Sequence, residues 1–224
     1  MIEILSDPFV LAIWVAAMLA SLAIVVWDLS VNNSHLMSLM KLVWTLTVLY
    51  SGPLGLAIYC FSGRKSIATD SELRRGFRSV AHCCSGCGMG EFIGVSIAVG
   101  LFSLANWPTA AITFVLACLF GFGLTVGPMM QDGATFANAA RDALIAETPS
   151  IAVMEIVALA ADLNVAGNAT MADVIFWSSL ILSLSCGLIA AWPVNVALIH
   201  WGVKKGMMDP RMADHAHSSQ HALG

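Results

Sequence analysis

Ten consecutive residues, His82-Cys83-Cys84-Ser85-Gly86-Cys87-Gly88-Met89-Gly90-Glu91, hold three of the chain's six cysteines, a histidine and a carboxylate. No other stretch gathers so many reactive side chains. Thiolates suit Cu(I) and Zn(II), and Cys84-x-x-Cys87 sets two sulfurs within chelating reach. His82, Cys83, Cys84, Cys87 and Glu91 are therefore the candidate metal ligands, with copper or zinc as the expected ion. Met89 is a further sulfur donor, and Met207, Met208, Met212, His215, His217 and His221 crowd the end of the chain. The Cys84/Cys87 pair also fits thiol–disulfide exchange. A third reading needs no chemistry, because glycines and small cysteines allow tight helix packing.

Two backbone conformations are open to this stretch. In a helix, Cys83, Cys87 and Glu91 are four apart and share one face. His82, Gly86, Gly90 and Gly94 then form a second row about 100° away, over which another helix can approach closely. As a loop, residues 85–90 would unwind, and a helix starting near Glu91 would aim its N–H groups at the cysteines and stabilise thiolates. In either case Glu91 falls inside an apolar run, where a carboxylate is costly and marks function by default. The same logic singles out Glu155 and Asp162.

The elements that position these groups are membrane helices. The chain has 224 residues, 58% hydrophobic and 11% charged, with mean hydropathy +0.83. A soluble domain carries about a quarter charged residues, so the lipid bilayer is the expected solvent and partner. A net charge of −4 makes no electrostatic case for nucleic acid. The cysteines are too few for a disulfide scaffold, and Cys60, Cys118 and Cys186 stand alone in apolar runs as inert buried thiols. No phosphate loop, catalytic triad or dinucleotide fingerprint is present, which points away from an enzyme.

A spanning helix needs about 20 mostly apolar residues. That rule predicts an all-α, polytopic integral membrane bundle of about six transmembrane helices, near 8–31, 36–61, 80–104, 109–126, 149–163 and 171–203. Residues 1–203 form one transmembrane domain and residues 204–224 a flexible, His- and Met-containing tail. The start of the chain has no Lys or Arg before its apolar run, so it reads as a retained helix rather than a secretory signal. Between the second and third spans lies the one long charged segment, 63–79, where Asp70 or Ser71 is a candidate helix cap. The fifth span is short and carries Glu155 and Asp162.

Six crossings put nine of the ten Lys and Arg on one side, with Lys41 the exception, and the positive-inside rule makes that side cytoplasmic. Both termini are then cytoplasmic. The cysteine motif falls at the cytoplasmic end of the third helix, where thiols are kept reduced, which weakens the redox reading. Polar residues on several helices leave room for a homo-oligomer.

His82-Cys83-x-x-Gly86-Cys87-x-x-Gly90 followed by an acidic residue resembles the signature of a bacterial family of small multi-pass membrane proteins, a domain-of-unknown-function family. Further matching pieces are Ala143 to Ile156 with its core Glu147-Thr148-x-Ser150-Ile151, then Pro193-x-Asn195 and Lys204-Lys205-Gly206-Met207. The resemblance covers roughly residues 36–208. Glu91 stands where the family's pattern has Asp, which lengthens the reach of the carboxylate. The resemblance implies a bacterial inner-membrane location and a functional His-Cys-Cys cluster, and it names no substrate.

Overall fold

The computed structural model describes residues 2–131, 133–207 and 209–212, and every regular element among them is helical. In chain order these are α1 (Ile2–Leu5), α2 (Pro8–Val31), α3 (Ser38–Ser51), α4 (Pro53–Ser62), α5 (Glu72–Val95), α6 (Asn106–Gln131), α7 (Phe136–Val165) and α8 (Val174–His200). A π-helical turn, Ser96–Leu101, extends α5, and a short 3-10 turn, Pro210–Met212, closes the described chain. Five helices are long and apolar enough to cross a membrane: α2, α5 with its extension, α6, α7 and α8.

The expected second span, 36–61, is instead a hairpin. Gly52 takes φ +56°, and Pro53 opens the next helix, a position where its missing N–H costs nothing. The 14 residues of α3 reach about 21 Å at roughly 1.5 Å per residue, short of the ~30 Å hydrocarbon core. From there α4 runs back along α3. Tyr59 packs edge-on against Trp44 with ring centroids 5.3 Å apart, and Gly55 lies against the backbone of Thr47 and Val48.

Both ends of the hairpin lie at one end of the bundle, where buried polar contacts tie them to α2. Asp28, in the last turn of α2, accepts hydrogen bonds from Tyr59 Oη at 2.7 Å and Arg64 Nε at 2.9 Å. Asn33 Oδ1 accepts from the Lys65 backbone N–H at 2.8 Å. Lys41, the predicted exception to the charge rule, donates to the Ser34 carbonyl in the same region. Because the hairpin returns to its own side, the bundle has five long helices and a re-entrant pair.

The two ends of the described chain are set apart along α8. Leu5, Val10 and Trp14 pack beside Ser178 and Ile181 near the start of α8. The far end of α8 meets the start of α5, where His200 Nδ1 lies 3.2 Å from Glu72 Oε2. The beginning of the described chain and residues 204–212 therefore lie at opposite ends.

Three further boundaries differ. Helix α5 starts at Glu72, where Ser71 Oγ accepts from the Arg74 N–H at 3.3 Å. Ten residues, about 15 Å of helix, therefore precede His82. The motif is helical and sits in the middle of the continuous helix formed by α5 and its extension. The expected short fifth span joins the polar segment before it in one 30-residue helix that runs through Pro149. The expected tail begins as packed chain. Lys204 is only 8% exposed, and Arg211 Nη1 donates to the Ala68 carbonyl at 3.2 Å. Met208, His215, His217 and His221 lie outside the described residues.

The glycine row is realised against α6. A Cβ added at Gly86 would lie 2.7 Å from Gly121 Cα, one at Gly94 would lie 2.8 Å from Thr113 Cα, and one at Gly90 would collide with the Leu116 carbonyl. Helix α5 is consequently buried along most of its length from Arg78 to Glu91.

Candidate functional site

The five predicted ligands lie on one helix but do not converge. Among the described residues, no three His, Cys, Asp or Glu side chains are arranged to hold a metal ion. The helical period explains the divergence. Cys84 is one residue removed from Cys83, and its thiol faces Tyr50 of the hairpin. His82 turns toward Glu147 and Lys204 at the basic end. Cys83 and Cys87, four apart, share a face and come within hydrogen-bonding reach of each other. Glu91 continues that face one turn further from the basic end.

What the thiol face meets is a set of polar residues from α7, α8 and the chain just after α8. Lys204 Nζ donates to Glu147 Oε2 at 2.6 Å and to Asn195 Oδ1 at 2.9 Å. Asn195 Nδ2 donates to Ser150 Oγ at 2.5 Å and to the Ala191 carbonyl at 3.0 Å. Ser150 Oγ in turn donates to Cys83 Sγ at 3.9 Å. Each of these groups is buried, so each needs its partner, since an orphaned polar group in an apolar medium is expensive.

Beyond the thiols the row continues through carboxyl groups. The Cys87 thiol lies beside the Glu155 carboxyl. Glu155 and Asp162 face Glu91 from α7, and Asp162 Oδ1 accepts from Ser179 Oγ at 2.7 Å. Glu155 and Asp162, seven residues apart, fall on one side of α7, and Glu147, eight residues before Glu155, lies about 80° round the helix from it.

A cavity opens at each end of this row. The one at the basic end, about 690 Å³, is lined by His82, Glu147 and Lys204 among others. The one at the opposite end, about 560 Å³, is lined by Glu91, Asp162, Asn106 and Thr170 among others. Between them stand Ser150, Cys83, Cys87 and Glu155, all buried. The arrangement is a buried thiol–carboxyl middle between two cavities, each with a few charged or polar side chains in a largely apolar wall.

Glu147, Ser150, Asn195 and Lys204 do not figure among the predicted ligands. Their contacts span up to 67 residues of sequence, and no local spacing announces them. All four do stand in the segments that carry the family resemblance, and the fold brings those separate segments into one hydrogen-bonded network. His200, by contrast, pairs with Glu72 at an exposed position away from the row.

A family model described as a domain of unknown function, DUF4396, matches residues 73–204. The matched region begins in the first turn of α5 and ends at Lys204, so it contains the whole polar row and leaves α1 to α4 outside. No curated protein and no solved structure matches the chain.

Proposed function

The chain belongs to the DUF4396 family, a domain of unknown function, and from the site itself we propose that it carries protons across the inner membrane along the polar row of α5, α7 and α8. One observation carries this reading. Cys87, Glu155 and Glu91 form a run of titratable groups in the buried middle of the bundle, with a cavity at either end. Chains of intramembrane carboxyl groups are the usual means by which pumps and transporters relay protons. The basic end faces the cytoplasm in this reading, since Lys41 now joins the other nine Lys and Arg there.

The residues divide the work as follows. Glu147, paired to Lys204, holds a charge at the mouth of the basic-end cavity. Asn195 donates to Ser150 Oγ, which leaves the hydroxyl proton to point at Cys83. The thiols of Cys83 and Cys87 are weak donors and acceptors in the buried stretch between the two cavities. Glu155 and Glu91 take up and release the proton, and Glu91 and Asp162 open to the far cavity. The divergence of the predicted ligands is the reason to prefer a proton, which passes from group to group, over an ion held by all five at once.

Reconstitution tests it. Liposomes carrying the protein and an internal pH-sensitive dye are given a pH step with potassium and valinomycin to clamp the potential. Wild-type protein is expected to collapse the step well ahead of empty liposomes. Glu155→Gln should slow that flux by on the order of a hundredfold, the usual contribution of a positioned acid–base group. A wild type no faster than empty liposomes sinks the proposal.

A further inference from the structure

The basic-end cavity has a second chemical character that the proton row does not use. Its wall includes Met37 and Met40 from the start of the hairpin, Met129 from the end of α6, and Met207 from the chain after α8. Twelve methionines in 224 residues would put about one among the nineteen residues lining this cavity, and four are there. They come from three separated parts of the chain, so no single amphipathic stripe accounts for them. His82 lines the same cavity, is only 5% exposed, and has no hydrogen-bond partner at Nδ1. Thr125 Oγ1, also on that wall, is buried without a partner as well.

We propose that Met37, Met40, Met129, Met207 and His82 form a binding site for a soft monovalent metal cation of the Cu(I) type in the basic-end cavity. Thioethers are neutral, polarizable donors that select soft metals, and imidazole is compatible with copper. The charges present fit a monovalent ion. Lys204 is neutralised by Glu147 at 2.6 Å, while Asp142 and Lys205 on the same wall carry opposite formal charges. A site of neutral ligands adds no charge of its own, so it does not compensate a divalent ion such as Zn(II). The site is distinct from the cysteine motif. It shares with the expected ligand set only His82, which helical geometry turns away from the thiols and into the cavity.

The test uses Ag(I), a redox-inert stand-in for Cu(I), on the full chain purified in detergent. Cys60, Cys118 and Cys186 are replaced by Ser, so that lone thiols give no signal. Competition against a chelator is expected to report one tight site per chain. Met129→Leu and Met207→Leu conserve side-chain volume and therefore the fold, and each should weaken binding by about tenfold or more. The pair Cys83→Ser with Cys87→Ser should leave the affinity unchanged. Absence of a tight site overturns the proposal. Binding that survives the methionine changes and vanishes with the cysteine pair also overturns it, and returns the ion to the thiols. Proton flux in metal-free liposomes is a separate readout, so failure of either proposal is distinguishable from failure of the other.

Discussion

Gly90→Ala is expected to unfold the contact between α5 and α6, while Gly123→Ala makes the protein slightly more stable. At Gly90 the new methyl group would be driven into the carbonyl of Leu116 and the N–H of Ala117. Those are backbone atoms of a helix, which cannot rotate aside as the end of a flexible side chain can. Gly86 and Gly94 make the same close approach one turn to either side, so a shift of α6 at one level strains the others. Overpacking of this kind costs about 1–3 kcal/mol and more where the backbone must move. Gly123, on the same α6, has nothing within 4 Å of its added Cβ, and alanine there gains roughly 1 kcal/mol of helix propensity. Thermal unfolding of the two variants in one detergent should move in opposite directions. Equal stability of Gly90→Ala and wild type would mean that the helices do not meet at that glycine.

Glu147→Gln is expected to be more destabilising than loss of the whole ion pair. Lys204 is 8% exposed and Glu147 5% exposed on their side chains. Removing the carboxylate charge leaves a buried ammonium with neutral amide acceptors and no counter-charge. Breaking a buried pair in this way costs about 3–5 kcal/mol, whereas replacing both partners by apolar groups is often near neutral. Glu147→Gln should therefore lower the melting temperature sharply, and adding Lys204→Met should restore a large part of the loss. A double-mutant cycle measures that restoration as a coupling energy. A double variant as unstable as the sum of the two single changes would show that the pair is not coupled in the bundle.

Several parts of this architecture are legible in the order of the residues. The spacing of four between Cys83, Cys87 and Glu91 fixes their common face, and the glycines at 86, 90 and 94 announce a close helix partner. Ser71 reads as a cap and serves as one. The hairpin is not legible in the same way, because 26 apolar residues fit one crossing helix as well as two half-length ones. The signal that separates them is Gly52-Pro53, where a left-handed glycine is followed by a residue suited to the first helical turn.

The site was partly legible for a different reason. Intramembrane Glu91, Glu155 and Asp162 stand out by cost alone. In the helix, the turn of about 100° between successive residues sets Cys84 and His82 off the face shared by Cys83, Cys87 and Glu91. Cys83 and Cys84 are adjacent in the chain, yet one meets Ser150 and the other Tyr50. The network of Glu147, Ser150, Asn195 and Lys204 depends on how α7 and α8 dock, a tertiary fact with no local period to reveal it.

The central claim is that Glu155 and Glu91 act in series on one proton path, and the most direct measurement compares Glu155→Gln, Glu91→Gln and the double variant in the liposome flux assay. Groups that act as a unit are strongly non-additive. The account predicts that each single change reduces flux toward that of empty liposomes and that the double change adds nothing further. Single variants that retain wild-type flux, or losses that multiply in the double variant, would contradict it.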